Sequence, residues 1–197
     1  MDVGTVRTLG SPEGRAILRS LPPYDEREVM RLGDRMRREG HSPDLVAALI
    51  PSGCGGRIPE AARPAILARG TDAETGGMAA VVEGTIERWF TPGFRATAAV
   101  DAVRRRLLAD DPSGWSAAWE AIAGHDALDR LAAVQVPALV IGGEADAATP
   151  VEAARALAAA IPGAELAILP GAPHMMQIES PDLYAAAIEG FLARRGL

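Results

Sequence analysis

The sequence predicts an α/β protein whose first two thirds are helical and whose last third holds two parallel strands, each followed by a helix. Upstream of about residue 133, apolar residues recur at spacings of three and four between glycine and proline breaks; downstream, short apolar runs alternate with helix-start signals. Strand, helix, strand and helix joined by short loops indicate parallel strands with right-handed crossovers. We therefore expect a helical N-terminal segment (1–50), a helical middle region (51–132) and C-terminal strand–helix units (133–197).

The N-terminal segment carries two helix-start signals. Ser11-Pro12-Glu13 combines a capping serine with proline at the first helical position, and residues 25–39 follow with helical spacing of apolar residues. Ser42-Pro43-Asp44 repeats the signal ahead of the run LVAALI, which predicts a further helix over 45–50. The glycine-rich PSGCGG after it predicts an internal boundary.

The middle region, from Ile58 to about Leu131, predicts four or so helices and no strand. Its expected breaks are turn-forming residues: Gly70, Gly76-Gly77, Thr91-Pro92-Gly93 and Asp111-Pro112-Ser113-Gly114.

The C-terminal part contains the two predicted strands. Residues 136–141 form an apolar run left by Gly142-Gly143, typical of a strand buried on both faces, and residues 164–169 form the second strand. Between them, Thr149-Pro150-Val151-Glu152 predicts a capping box that opens a helix to Ala160. Ser180-Pro181 predicts the start of a final helix to Arg195.

Composition argues against several classes of function. The chain has 197 residues and a net charge of −6, whereas a nucleic-acid-binding protein needs a positive surface; the run Arg104–Arg106 is too short to supply one. A single cysteine, Cys54, excludes an internal disulfide and a zinc site of several cysteines. The three histidines lie far apart in the sequence, and no metal or cofactor is expected.

The sequence also predicts the cellular location of the protein. No apolar stretch approaches the length that crosses a membrane, and the first fifteen residues carry charges and no apolar run, unlike a signal peptide. We therefore expect a cytoplasmic protein without nucleic-acid or membrane partners.

Asp146 and His174 follow the two predicted strands. Ligands of open parallel sheets bind at the carboxyl ends of the strands, and both residues fall just beyond those ends. A carboxylate there can accept the ring N–H of the histidine, fix its tautomer and leave the other nitrogen as a base. Alternatively, Asp146 caps a turn and His174 is an ordinary loop residue; their matching positions favour the catalytic pair.

Two stretches carry a resemblance to a known family: PALVIGGEADAATP, and IPGAELAILPGAPHMMQIESPDLYAAAIEGFLARR. They resemble the last two strand–helix units of the α/β-hydrolase fold, in which the corresponding aspartate and histidine serve a Ser-Asp-His triad. RIPEAARPAILARG, TIERWFTPGF and LLADDPSGWSAAWEAIAGHD resemble the helical cap of 3-oxoadipate enol-lactonases. The resemblance covers about residues 49–197 and implies a small ester or lactone substrate in aromatic catabolism.

Within the cap, the resemblance draws attention to residues 88–94. Trp89, Phe90 and Phe94 are candidates to line a substrate pocket, and Arg88 is a candidate partner for a substrate carboxylate. Alternatively, the aromatic residues pack cap helices together and Arg88 is a surface cation.

The serine nucleophile of the family is missing. No Gly-x-Ser-x-Gly follows a strand, so we expect a hydrolase by descent whose activity is impaired. Ser52-Gly53-Cys54-Gly55-Gly56 offers a cysteine in a similar setting, but the helix signal before it and Pro59 soon after it favour a glycine-rich junction with an incidental thiol.

The first fifty residues weakly resemble the helical N-terminus of THUMP-like class I SAM-dependent methyltransferases, as in PYDEREVMRLGDRMRREGHSPDLVAAL. The glycine-rich cofactor loop is absent, so no methyl transfer is implied. The remaining alternatives are a gene-fusion fragment and a non-catalytic helical interaction module. An exposed sheet edge would favour self-association in either case.

Overall fold

The computed structural model describes residues 46–197, of which residues 48–196 form one compact unit. The helices predicted within residues 11–44 lie outside the described residues. The subdivision near residue 132 stays a prediction. In chain order the helices and strands are α1 (Arg63–Gly76), α2 (Val82–Trp89), α3 (Ala98–Leu108), α4 (Pro112–Ala123), β1 (Leu139–Gly143), α5 (Val151–Ala160), β2 (Glu165–Leu169), α6 (Met176–Glu179) and α7 (Pro181–Arg195).

Turn-forming and capping residues separate the four middle helices, α1 to α4. Thr97 and Asp111 cap α3 and α4 by accepting the backbone N–H groups of Val100 and Gly114 at 3.4 and 3.1 Å. Helices α1, α2 and α3, together with the turns on either side of α2, contribute the buried residues of one core: Ala73, Met78, Val81, Val82, Ile86, Phe90, Val100 and Leu107. Met175 and Ile178, which follow the second strand, also pack against this core.

The break predicted at Gly70 is wrong, because α1 runs through it. A Cβ on Gly70 would lie 2.9 Å from Cα of Ser116 in α4, so the glycine lets two helices approach closely. Gly77, with φ of 72°, ends the helix as expected.

The predicted parallel pair of strands is present. β1 and β2 pair in register from Leu139 opposite Glu165 to Gly143 opposite Leu169. All five residues of β1 are buried, whereas β2 is only partly buried, as an outer strand is. β1 starts after Pro137, whose ring removes a ladder donor, and it includes both glycines that were expected to end it.

The helix expected over LVAALI does not form over residues 46–50, which are not helical. Leu49 and Ser52 bridge Ala138 and Ile141 in parallel, so this segment lies on the other side of β1 from β2. Its backbone gains hydrogen bonds to β1, and Ile50 packs against the core under the sheet. Tertiary pairing therefore overrides the local helix-start signal at residues 42–44.

The capping box predicted at residue 149 is also wrong. Helix α5 begins at Val151, and no side chain caps it. The Thr149 hydroxyl donates instead to the backbone oxygen of Gly53 at 2.9 Å.

Within residues 46–197, no helix combines the length and apolar character that a bilayer crossing requires. A cytoplasmic location and self-association through a sheet edge stay predictions.

Candidate active site

Asp146 and His174 meet at the carboxyl edge of the sheet. Oδ2 of Asp146 lies 2.9 Å from Nδ1 of His174. The Asp146 side chain is fully buried, whereas 22% of the His174 side chain is exposed. The structure thus brings together the two side chains that the sequence assigns to this edge, with the aspartate behind the histidine.

Both carboxylate oxygens of Asp146 have partners. Oδ1 accepts the backbone N–H groups of Ala148 and Thr149 at 2.8 and 2.7 Å. An ionised carboxylate only accepts hydrogen bonds, so its bond to His174 requires the proton on Nδ1. Nε2 of His174 is then left as a hydrogen-bond acceptor and a base.

Backbone contacts between the two loops fix this geometry. Ala145 donates its N–H to the oxygen of Ala172 at 2.9 Å, and Gly171 donates to the Glu144 carboxylate at 2.8 Å. A Cβ on Gly143 would lie 2.3 Å from the Ala172 oxygen. The end of β1 therefore touches the backbone that leads to His174, and only glycine fits there.

The segment beside β1 contributes Gly53 to the site. A Cβ on Gly53 would lie 3.4 Å from Nδ1 and Cε1 of His174, and its φ of +60° favours glycine. Its carbonyl oxygen accepts the Thr149 hydroxyl, which ties it to the Asp146 loop. Sequence reasoning missed both residues, since nothing in the sequence indicates that positions 96 residues apart are in contact.

Trp89 is the predicted pocket residue that lies near the pair. Its ring centroid is 6.2 Å from that of His174, and its carbonyl oxygen accepts the N–H of Met175 at 3.0 Å. Just beyond α2, the Glu179 carboxylate accepts both the N–H of Thr91, at 3.1 Å, and its hydroxyl. The end of α2 is therefore attached to the chain that follows His174.

The other two aromatic candidates pack among the middle helices. Phe90 is buried and stacks on Phe94 at a centroid distance of 5.9 Å. The packing alternative therefore describes Phe90 and Phe94 better than the pocket alternative does.

Arg88 makes no hydrogen bond to the Asp146–His174 pair. Its Nη2 donates to Thr85 Oγ1 at 3.3 Å, and partial burial lowers its pKa below the usual range, partly offset by the nearby charge of Glu87. The structure keeps it half-buried on α2, one residue before Trp89.

Cys54 lacks the features of an activated nucleophile. Within the described part of the chain, no hydrogen bond joins its thiol to His174. Desolvation raises its pKa above the usual range, although a backbone hydrogen bond at Ser52 acts in the opposite direction. The residues that follow it are not helical until residue 60, so it does not sit on a strand-to-helix turn.

Ser116 lies in Gly-Trp-Ser-Ala-Ala, which resembles a nucleophile motif in letters alone. It is buried in the middle of α4, against Gly70 of α1. A position inside a helix cannot present a hydroxyl at the edge of the sheet. Between residues 46 and 197 there is also no group of three or more histidine, cysteine or acidic side chains that could hold a metal ion.

Two known families match separate stretches of the chain. Residues 108–195 match the α/β-hydrolase family described as TAP-like protein, and residues 2–51 match a domain of unknown function (DUF8688). The second match names no activity, so the methyltransferase resemblance of the first fifty residues stays a prediction.

Similar proteins and structures point in the same direction as the first match. 3-Oxoadipate enol-lactonase 2 of Acinetobacter baylyi is 28% identical over 156 residues, which are 78% of this chain and 57% of that protein. The crystal structure of the enol-lactonase from Burkholderia xenovorans LB400 is 31% identical, with a TM-score of 0.69 over 76% of this chain and 57% of that one. A hydrolase from Pseudomonas aeruginosa PA01 gives 29% identity and a TM-score of 0.69 over 77% and 57%. The chain thus spans little more than half the length of these proteins, and residues 48–196 have a truncated form of their fold.

Proposed function

We propose that this chain belongs to the α/β-hydrolase family and descends from carboxylic-ester or lactone hydrolases of the 3-oxoadipate enol-lactonase type, with Asp146 and His174 as acid and base. The observation that carries this proposal is the 2.9 Å contact between a buried carboxylate and a partly exposed imidazole. Both lie in loops that follow adjacent parallel strands.

The pair supplies one half of an acyl-transfer site. Asp146 holds the proton on Nδ1 of His174, so Nε2 can take a proton from an attacking hydroxyl and return it to the leaving group. Trp89, beside the imidazole, would border the bound ester or lactone, and Arg88 would attract a carboxylate on it. Such a substrate would be a small molecule of the kind met in aromatic catabolism.

We further propose that hydrolysis by this chain is impaired. An acyl-enzyme intermediate requires a nucleophile that the histidine can activate. Ser116 is buried inside α4, and Cys54 forms no hydrogen bond to His174 within the described residues and has a raised pKa. Loss of the serine from a triad lowers kcat by about 10⁶-fold in a serine protease, with acid and base still present.

Hydrolysis of p-nitrophenyl acetate tests this proposal. We expect the chain to release p-nitrophenol no faster than its His174→Ala variant. His125→Ala is the matched control, because His125 is an exposed loop histidine that measures the background reaction of imidazole with the ester. A rate that disappears in His174→Ala and persists in His125→Ala would overturn the proposed impairment.

A second measurement tests the pair itself. ¹⁵N NMR of the histidine rings should show His174 protonated on Nδ1 at neutral pH, with a hydrogen-bonded ring proton. A neutral His174 that carries its proton on Nε2 would contradict the assignment of Asp146 and His174 as acid and base.

A further inference from the structure

Thr149 is connected to both members of the Asp146–His174 pair. Its backbone N–H donates to Oδ1 of Asp146 at 2.7 Å. Its hydroxyl donates to the carbonyl oxygen of Gly53 at 2.9 Å, and Gly53 lies against the His174 ring. One residue therefore supports the acid directly and the base through a glycine that is 96 residues away in the sequence.

Gly53 lies beside the Nδ1–Cε1 edge of the imidazole. A Cβ on this glycine would lie 3.4 Å from each of these two ring atoms and 3.6 Å from the backbone oxygen of His174. The Hα atom that such a Cβ would replace therefore points at the edge of the ring that meets Asp146. A displacement of Gly53 would change the space into which this edge of the ring can turn.

Two hydrogen bonds hold the Gly53 backbone, one on each side. Its N–H donates to the oxygen of Ile141 in β1 at 2.9 Å, and its carbonyl oxygen accepts the Thr149 hydroxyl. Among the residues that the structure describes, no other hydrogen bond reaches a carbonyl oxygen of residues 53–55. The Thr149 hydroxyl is therefore the donor that determines where the carbonyl side of Gly53 lies.

The local sequence restricts the conformation of Thr149 before it meets its partners. Pro150 follows it, and a proline favours extended backbone at the preceding residue. A β-branched side chain such as that of threonine also has few accessible rotamers at χ1. The N–H and the hydroxyl of Thr149 are therefore held toward their two acceptors at a small cost in conformational entropy.

We propose that Thr149 is a positioning residue for the imidazole: its hydroxyl fixes Gly53, and Gly53 keeps the Nδ1 edge of His174 against Asp146. The bond from Thr149 to Asp146 comes from the backbone, so a substitution of the side chain removes the Gly53 contact and leaves the Asp146 contact. The catalytic meaning of this role rests on the proposed function, whereas the effect of the hydroxyl on the orientation of the ring does not.

NMR of the full chain with Thr149→Val tests this role, because valine keeps the β-branched shape and lacks the hydroxyl. Two signals report on the site: the NOE between a Gly53 Hα and Hε1 of His174, and the exchange of the Nδ1 ring proton with water. We expect the NOE to lose most of its intensity and the proton to exchange about fivefold faster, the factor that one ordinary hydrogen bond provides. Thr149→Ser keeps the hydroxyl and should retain both signals of the wild type.

Thr75→Val is the matched control. The Thr75 hydroxyl also donates to a backbone oxygen, that of Thr71 at 2.8 Å, from an exposed position on α1. Its loss should leave both signals of His174 unchanged. Thr149→Ala removes the hydroxyl without placing a methyl group in its position, so it supplies the same test if the valine variant does not fold.

A wild-type NOE and wild-type proton exchange in folded Thr149→Val or Thr149→Ala would overturn the positioning role, even if the free energy of unfolding falls. Equal changes in Thr149→Ser or in Thr75→Val would also overturn it, because the Thr149 hydroxyl would then not be the cause. A wild type that shows the NOE but no hydrogen-bonded Nδ1 proton would instead contradict the proposed acid–base pair. The two failures therefore give different results.

Discussion

The contact between Gly143 and the chain leading to His174 gives the sharpest test of the active-site geometry. In Gly143→Ala the added Cβ would lie 2.3 Å from the Ala172 oxygen and 2.7 Å from the Pro173 oxygen. Real Cβ atoms keep about 3.0 Å from such neighbours, so the two backbones must separate by about 0.7 Å. Both opposing atoms belong to the backbone, and no side chain can rotate away.

A separation of this size is large compared with the range of distances over which a hydrogen bond holds. If it passes to the Asp146–His174 contact, the 2.9 Å distance becomes about 3.6 Å, which is no longer a hydrogen bond. We expect Gly143→Ala to lower the free energy of unfolding by about 3 kcal/mol, the upper range for overpacking, and to abolish the hydrogen-bonded Nδ1 proton of His174.

Urea unfolding and ¹⁵N NMR of the histidine rings measure the two effects. Gly93→Ala is the matched control, because its Cβ would meet nothing within 4 Å and its φ is not positive. It should change the free energy of unfolding by less than about 0.5 kcal/mol. Retention of both wild-type stability and the bonded proton in Gly143→Ala would refute the reasoning.

Two further predictions concern the side chains of the site. In Asp146→Asn the amide oxygen should still accept the N–H groups of Ala148 and Thr149, so the amide NH₂ should face His174 and donate to Nδ1. ¹⁵N NMR should then show the proton of the neutral ring on Nε2. An unchanged tautomer would contradict the described hydrogen bonding. Iodoacetamide should label Cys54 slowly at neutral pH and faster as the pH rises past the pKa of an ordinary thiol, because desolvation raises its own pKa; fast labelling at pH 7, compared with free cysteine, would restore Cys54 as a candidate nucleophile.

Local signals in the sequence were sufficient for the C-terminal strand–helix units. The apolar run ending at Ile141, the crossover helix and the second run to Leu169 form β1, α5 and β2, with the pairing in parallel as expected. Because consecutive parallel strands end at one edge, the proximity of Asp146 and His174 followed from strand order alone.

Features that depend on contacts between distant residues were not predictable. Leu49 pairs with the chain of β1 through two backbone hydrogen bonds instead of joining a helix, and Gly70 lies within a helix that Ser116 approaches closely. Thr149 has the residue type and spacing of a capping box, yet its hydroxyl binds Gly53. In each case the partner is more than 40 residues away, and the local pattern carries no information about it.

The attachment of α2 to the chain after His174 restricts how the middle helices can move. The N–H of Met175 donates to the carbonyl oxygen of Trp89, and the Glu179 carboxylate accepts the N–H and the hydroxyl of Thr91. A displacement of this end of α2 would therefore strain the backbone next to the imidazole. Any motion of the middle helices that keeps these hydrogen bonds must therefore pivot about this end of α2. Such a motion would leave the rings of Trp89 and His174 at their described spacing, so the space next to the imidazole would keep its shape on the tryptophan side.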